Sequence, residues 1–296
     1  MKVQGCDCSI TIKTEYREFD VPYSEETIRE AYSLLQEEAA IEGDGTCRAI
    51  RKSNGITGCI VTPLTIETAP LLLYIAMGSA ELPVFVSETR NLYKYQIDLI
   101  PMEDTECFEL IQDRSGNREL GIGNGERRLF EGCRVKGFEL RVVRGEAVKL
   151  KLDVASNIPP VTYPYYDVIE NETGERFNGD NVKYKINGKD YKNIYGITLL
   201  SKKEGGTITE IWIKRVLEQG NEISGIIEEL VITAQLLRDK YEYRHYGIFR
   251  ITINRLVLTA DETNVNCTDT VIAPLRYYVT GRVSTEVFTN GGEGVK

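Results

Sequence analysis

At 296 residues, 42% of them hydrophobic, the chain is long enough to bury one large core or two of ordinary size. A formal net charge of −9, from 45 acidic against 36 basic residues, excludes a protein that grips nucleic acid along its phosphates, though not one past which DNA slides. Seven cysteines, an odd count, and no basic-then-apolar leader over Met1–Thr14 point to a reducing cytoplasm, and the run Leu71–Met77 is far short of the roughly 20 residues of a membrane span.

Along the chain, Ser9–Lys13 alternates as a short strand. Ser24–Ala40 changes period, and its Ile28, Ala31, Leu34, Leu35 and Ala39 predict a helix with one apolar face. Glu42–Gly58 has no period; its Gly43, Gly45, Gly55 and Gly58 with Arg48, Arg51 and Lys52 predict a long, basic, flexible arm. Thr65–Met77 resumes helical spacing, with Pro70 near the start and Gly78 just past the end.

From Asn91 the pattern is β, beginning with Tyr93–Ile100. Phe138, Leu140 and Val142, then Val148, Leu150, Leu152 and Val154, alternate on either side of Arg144–Gly145–Glu146, which predicts a hairpin with one apolar face. Pro159, Pro160 and Pro164 mark Ala155–Pro164 as a linker between a domain over 1–155 and a second β-rich domain over 165–296. Strands Val182–Ile186, Tyr191–Leu200 and Thr207–Lys214 follow, broken by the turn dipeptides Asn187–Gly188 and Gly205–Gly206. Ile223–Leu237 fits both periods, and its β-branched Val231–Ile232–Thr233 tips it to strand. Phe249–Thr259 and Tyr277–Phe288 close the chain as strands.

Little in the sequence suits catalysis. The single histidine, His245, has no nucleophile elbow beside it, and Cys6–Asp7–Cys8 lacks the partners of a metal set. Gly121–Gly125 lacks the lysine and the strand-then-helix setting of a nucleotide loop. The acidic clusters Glu103–Asp104–Glu106 and Asp261–Glu262 stand without an aromatic sugar platform. No catalytic, cofactor or metal-binding residue is expected, and no enzyme.

Thr62–Pro63 before a helix ending in Met77–Gly78, the strand Tyr93–Ile100, and Phe130–Glu131–Gly132–Cys133–Arg134–Val135 leading into Phe138–Glu139–Leu140 and Gly145–Glu146–Ala147–Val148–Lys149–Leu150 resemble tail tube proteins of long-tailed bacteriophages. The resemblance spans roughly Gly55 to Ala155. It implies a mainly β fold, a tail-tube-like β-sandwich or barrel with one or two flanking helices, and a second domain of the same type would make the chain two tandem β domains. It also implies a homo-oligomeric ring, trimeric or hexameric, made in the bacterial cytoplasm and stacked into a virion tail tube. Its partners would be tail terminator, baseplate and tape-measure proteins, with no membrane, and DNA would pass without specific binding.

Under that reading Arg48, Arg51 and Lys52 are inter-ring arm candidates, and Glu103, Asp104, Glu106, Asp261 and Glu262 are candidates for the wall of the lumen. Strands Tyr93–Ile100, Leu230–Leu237 and Phe249–Thr259 are the expected channel strands. The alternatives are a tail terminator or baseplate ring component, or a carbohydrate-binding β-sandwich that stacks sugars on Tyr163–Tyr166.

Overall fold

A two-residue period governs most of the chain, and the computed structural model is mainly β accordingly, with 73% strand and one α-helix among the described residues. It describes residues 8–14, 18–36, 49–80, 84–87, 92–101, 104–114, 125–164, 175–203, 207–216, 223, 225–240, 243–261 and 272–289.

The first strands are β1 (Cys8–Lys13), β2 (Glu18–Asp20), β3 (Glu25–Glu26), β4 (Arg29–Gln36) and β5 (Ala49–Pro63). After helix α1 (Ala69–Met77) come β6 (Gly78–Ala80), β7 (Val84–Ser87), β8 (Leu92–Leu99), β9 (Phe108–Arg114), β10 (Glu126–Val143), β11 (Lys149–Ser156) and β12 (Val161–Pro164). The rest are β13 (Val182–Ile186), β14 (Lys189–Tyr191), β15 (Ile194–Lys202), β16 (Ile208–Val216), β17 (Ile226–Lys240), β18 (Tyr243–Asp261), β19 (Ile272–Val279) and β20 (Val283–Thr289).

All the ladders are antiparallel and join into one large sheet that does not close into a barrel. Two long strands change partners midway, which divides the sheet into layers. In β10, Glu126–Leu129 lies between β9 and β12; beyond a shift at Val135–Gly137 the strand runs between β11 and β15. In β18, Gly247–Ile253 pairs with β20 and Leu256–Asp261 with β19. The break falls at Arg255, whose φ is 52° and whose carbonyl accepts the Thr280 N–H. One layer therefore reads β5–β11–β10–β15–β16–β19, the other β13–β17–β18–β20–β8.

Phe138, Leu140, Leu150, Leu152, Ile211 and Ile213 of the first layer and Tyr95, Ile97, Ile232, Phe249, Ile251 and Val287 of the second are buried in one core. Phe177 meets Phe249 edge-on there, with ring centroids 5.0 Å apart. α1 is buried on every side except at Tyr74, as an apolar helix must be. It begins with Pro70 in its first turn and ends where Gly78 adopts φ 103° and donates its N–H to the Tyr74 carbonyl.

The hairpin around Arg144–Glu146 forms in the expected register, with Phe138 opposite Leu152 and Leu140 opposite Leu150. Three expectations are corrected. Residues 24–40 hold no helix among those described: Glu25–Glu26 and Arg29–Gln36 are strands on β5, because an available ladder outweighs a modest helical spacing. The expected arm is ordered from Ala49 onward as β5, with Arg51 opposite Leu34 and Lys52 opposite Ser33. Its glycines permit close approach: a Cβ at Gly58 would lie 2.5 Å from the Ile28 Cα. Arg48 lies outside the described residues. The stretch read as a linker contributes β12, and ladders β10–β15 and β8–β20 join residues on its two sides.

Candidate functional site

The acidic residues expected in a lumen are not gathered on a sheet face. Asp104 and Glu106 sit on the loop between β8 and β9, where the Asp104 N–H bonds the Pro101 carbonyl and Glu106 accepts the Tyr74 hydroxyl at 2.6 Å. Asp261 ends β18, with its carboxylate 4.0 Å from the Arg215 guanidinium. Glu103 and Glu262 lie outside the described residues.

What the structure does bring together is the set of strands. β8, β18 and β17, expected in the channel from alternation, lie in one layer with β20 between β8 and β18. Their inward side chains fill the core, so the outward set is held in cross-strand rows. One row runs Lys183–Thr233–Arg250–Glu286–Gln96 and the next Lys185–Val231–Thr252–Ser284–Asp98. All of these side chains except Lys183 and Asp98, together with Glu229, line an open hollow of about 390 Å³.

Most charges of this face are matched in place, Lys183 and Glu229 being the exceptions among the described residues. The Arg250 Nη1 lies 3.1 Å from Glu286, which also takes the ammonium of Lys94. Arg282 grips Asp98 with both nitrogens of its fork, the Nε at 3.0 Å. Lys185 is 3.9 Å from Asp190. Such a face has hydroxyls and amides to wet it but little net field with which to hold a polyanion. Sequence reading missed Arg250, Glu286, Asp98 and Arg282 because partners 36 and 184 residues apart meet only once register is set. The alternation of Arg250 and Thr252 with buried Phe249, Ile251 and Ile253 was the available signal.

A second polar cluster lies on the outer face of the other layer. Arg276 is bidentate to Glu210, Nε to Oε2 at 3.0 Å and Nη2 to Oε1 at 2.7 Å, and its guanidinium lies over Trp212 at 5.3 Å and Tyr278 at 5.7 Å. Hydrogen bonds from Arg276 hold the Glu210 carboxyl below the usual range, against the opposing effect of its partial burial. Arg276→Lys keeps the charge and loses the fork. NMR titration should then find the Glu210 pKa moved up toward an ordinary carboxylate; an unmoved pKa would mean the fork does not set it.

Among the described residues no three His, Cys, Asp or Glu side chains are grouped to hold a metal ion. Cys59, Cys107 and Cys133 are not in disulfides, and burial pushes the Cys133 thiol up to about 12. Among the described residues no helix is long and apolar enough to cross a membrane. Compared with models of known protein families and with curated proteins, the sequence matches none.

Proposed function

We propose that the chain is a structural subunit of a phage-type tail tube, assembling with copies of itself into stacked rings whose lumen conducts DNA. The observation that carries this reading is the polar, hollowed face of β13–β17–β18–β20–β8, which has a core behind it and four of its cations, Lys94, Lys185, Arg250 and Arg282, already beside carboxylates. A wall of that kind lets a duplex pass: at physiological salt charges act over only about 8 Å, so a phosphate near it meets balanced pairs. The layer is also open. Among the described residues β14 pairs only with β13, and β6 and β7 only with β8, so both margins are left to neighbouring subunits.

Neighbouring copies, tail terminator, baseplate and tape-measure proteins are the partners this reading assigns, in a virion tail. Electron microscopy of the concentrated full chain tests it. Tubes with a central channel are the expected outcome. Single rings would favour a terminator or baseplate component, and dispersed monomers that bind glycans would favour a carbohydrate-binding sandwich.

A further inference from the structure

The outer face of the first layer differs from the channel face in charge and in exposed apolar surface. Its outward strand positions on β11, β10 beyond the shift, β15, β16 and β19 carry the cations Lys149, Lys151, Arg141, Lys202, Lys214 and Arg276 against the carboxylates Asp153, Glu139 and Glu210. Subtracting that surplus of three positive charges from a net of −9 leaves −12 on the remainder of the chain. Arg141, Lys151 and Arg276 have carboxylate partners in Glu146, Asp153 and Glu210. Lys149, Lys202 and Lys214 have none within ion-pairing distance among the described residues.

Where β19 meets the ends of β18 and β17, this face continues into large apolar side chains exposed in contiguous positions. Ile226, Val257 and Tyr278 stand directly opposite one another across β17, β18 and β19, and are 54%, 37% and 41% exposed. The row continues through Glu210 to Leu200, while Ile208, 54% exposed, is two residues from Glu210 on β16. Trp212 lies in the adjoining row, stacked on Arg276. Single exposed apolar residues are ordinary, but a contiguous group beside a fixed Trp–Arg–Tyr cluster has the make-up of a binding hot spot.

We propose that this face docks a second copy of the chain, through an apolar centre around Tyr278 with Lys214 and Lys202 on the next two strands, β16 and β15, and Lys149 farther out on β11. Charge selects the occupant, since any surface of a second copy outside this face belongs to the part that carries −12. Charge also selects the geometry. The face repels its own image, so the contact is head to tail, one copy's face on a different, acidic surface of the next, which propagates and does not stop at a two-fold dimer. Lysines beside aromatics would also suit single-stranded nucleic acid, but Ile208, Ile226 and Val257 offer a base nothing to stack on and suit a protein surface. The contact is centred on β19 and β16 and reaches only the ends of β17 and β18, whereas the hollow is lined farther along those strands by Val231, Thr233, Arg250 and Thr252, so the two readings can fail separately.

The test uses the full chain. Sedimentation velocity across a wide concentration range should find self-association that weakens as salt rises. The triple variant Lys149→Glu, Lys202→Glu, Lys214→Glu and the triple variant Ile226→Ser, Val257→Ser, Tyr278→Ser should each associate at least about tenfold more weakly with an unchanged circular dichroism spectrum. Zero-length carbodiimide cross-linking of a mixture of isotopically light and heavy chains should join Lys202 or Lys214 of one copy to carboxylates of another. A chain that stays monomeric, folded variants that associate like the parent, or cross-links only within one copy would overturn the proposal. So would a monomeric chain that binds a labelled single-stranded oligonucleotide through these lysines, which would assign the face to nucleic acid. Head-to-tail association without tubes would sustain this contact and count against the channel reading.

Discussion

Gly55→Ala should lose about 3 kcal/mol or more of stability, read from the urea midpoint at an unchanged slope. Gly55 has φ 101°, a region an alanine enters only at a cost, and a Cβ there would lie 1.9 Å from the Ser156 carbonyl oxygen. That oxygen cannot easily yield. Ser156 closes the β5–β11 ladder opposite Ile56, and its hydroxyl donates to the Glu131 carbonyl while accepting the Ile158 N–H. Gly145→Ala is the control: φ is 80° but nothing lies within 4 Å of the added carbon, so only the backbone term of about 1–2 kcal/mol applies. If the two variants lose equal stability, the contact between β5 and the end of β11 is looser than its geometry implies.

The same glycine explains what the sequence conceals. Gly55 and Gly58 read as flexibility because composition reports only that a Cβ is missing, whereas the reason lies in Ser156 and Ile28, roughly a hundred residues ahead and thirty behind. Arg29–Gln36 failed in the same way, since Leu34 and Leu35 fit a helix until β5 supplies a ladder. Elements whose cause is local were legible: Pro70 and Gly78 bound α1, the turn at Gly145 sets the β10–β11 register, and β-branched Val231–Thr233 lies in β17. The candidate site divides along the same line. Alternation picked out β8, β17 and β18, which share one layer, but runs of acid picked out Asp104 and Glu106 on a loop and Asp261 at the end of β18, away from the hollow. Arg250–Glu286 and Arg276–Glu210 are cross-strand pairs, and Arg282–Asp98 joins the residue before β20 to β8; all are fixed by register and invisible as motifs.

Lys203→Met should stabilise the fold at neutral pH by about 2 kcal/mol, an unusual direction for a core substitution. Lys203 is fully buried, and its ammonium donates to the Met77 carbonyl at 3.0 Å, at the end of α1. The helix terminus favours a cation there, but burial prevails and brings the amine from 10.5 down to about 8. A difference of that size corresponds to about 3 kcal/mol of penalty for holding the charge in the core. Methionine fills a similar volume and removes the penalty. It also removes the hydrogen bond, worth about 1 kcal/mol, although the Met77 carbonyl keeps the Ile100 N–H.

The sign with pH follows from proton counting. Below pH 8 the lysine is protonated folded and unfolded, so the penalty is constant. Between about 8 and 10.5 the unfolded chain holds a proton the folded chain has released, and wild-type stability rises with pH relative to the variant. Above 10.5 the amine is neutral in both states and the retained hydrogen bond favours wild type. Burial pushes Cys133 and Tyr277 each up to about 12, which weakens the fold from about pH 9 upward, but equally in both proteins, so it cancels in the difference. Urea titrations at pH 7, 9 and 10.5 should therefore show the methionine advantage shrinking and then reversing. A methionine variant less stable than wild type at pH 7 would mean that the ammonium is held by more than one carbonyl.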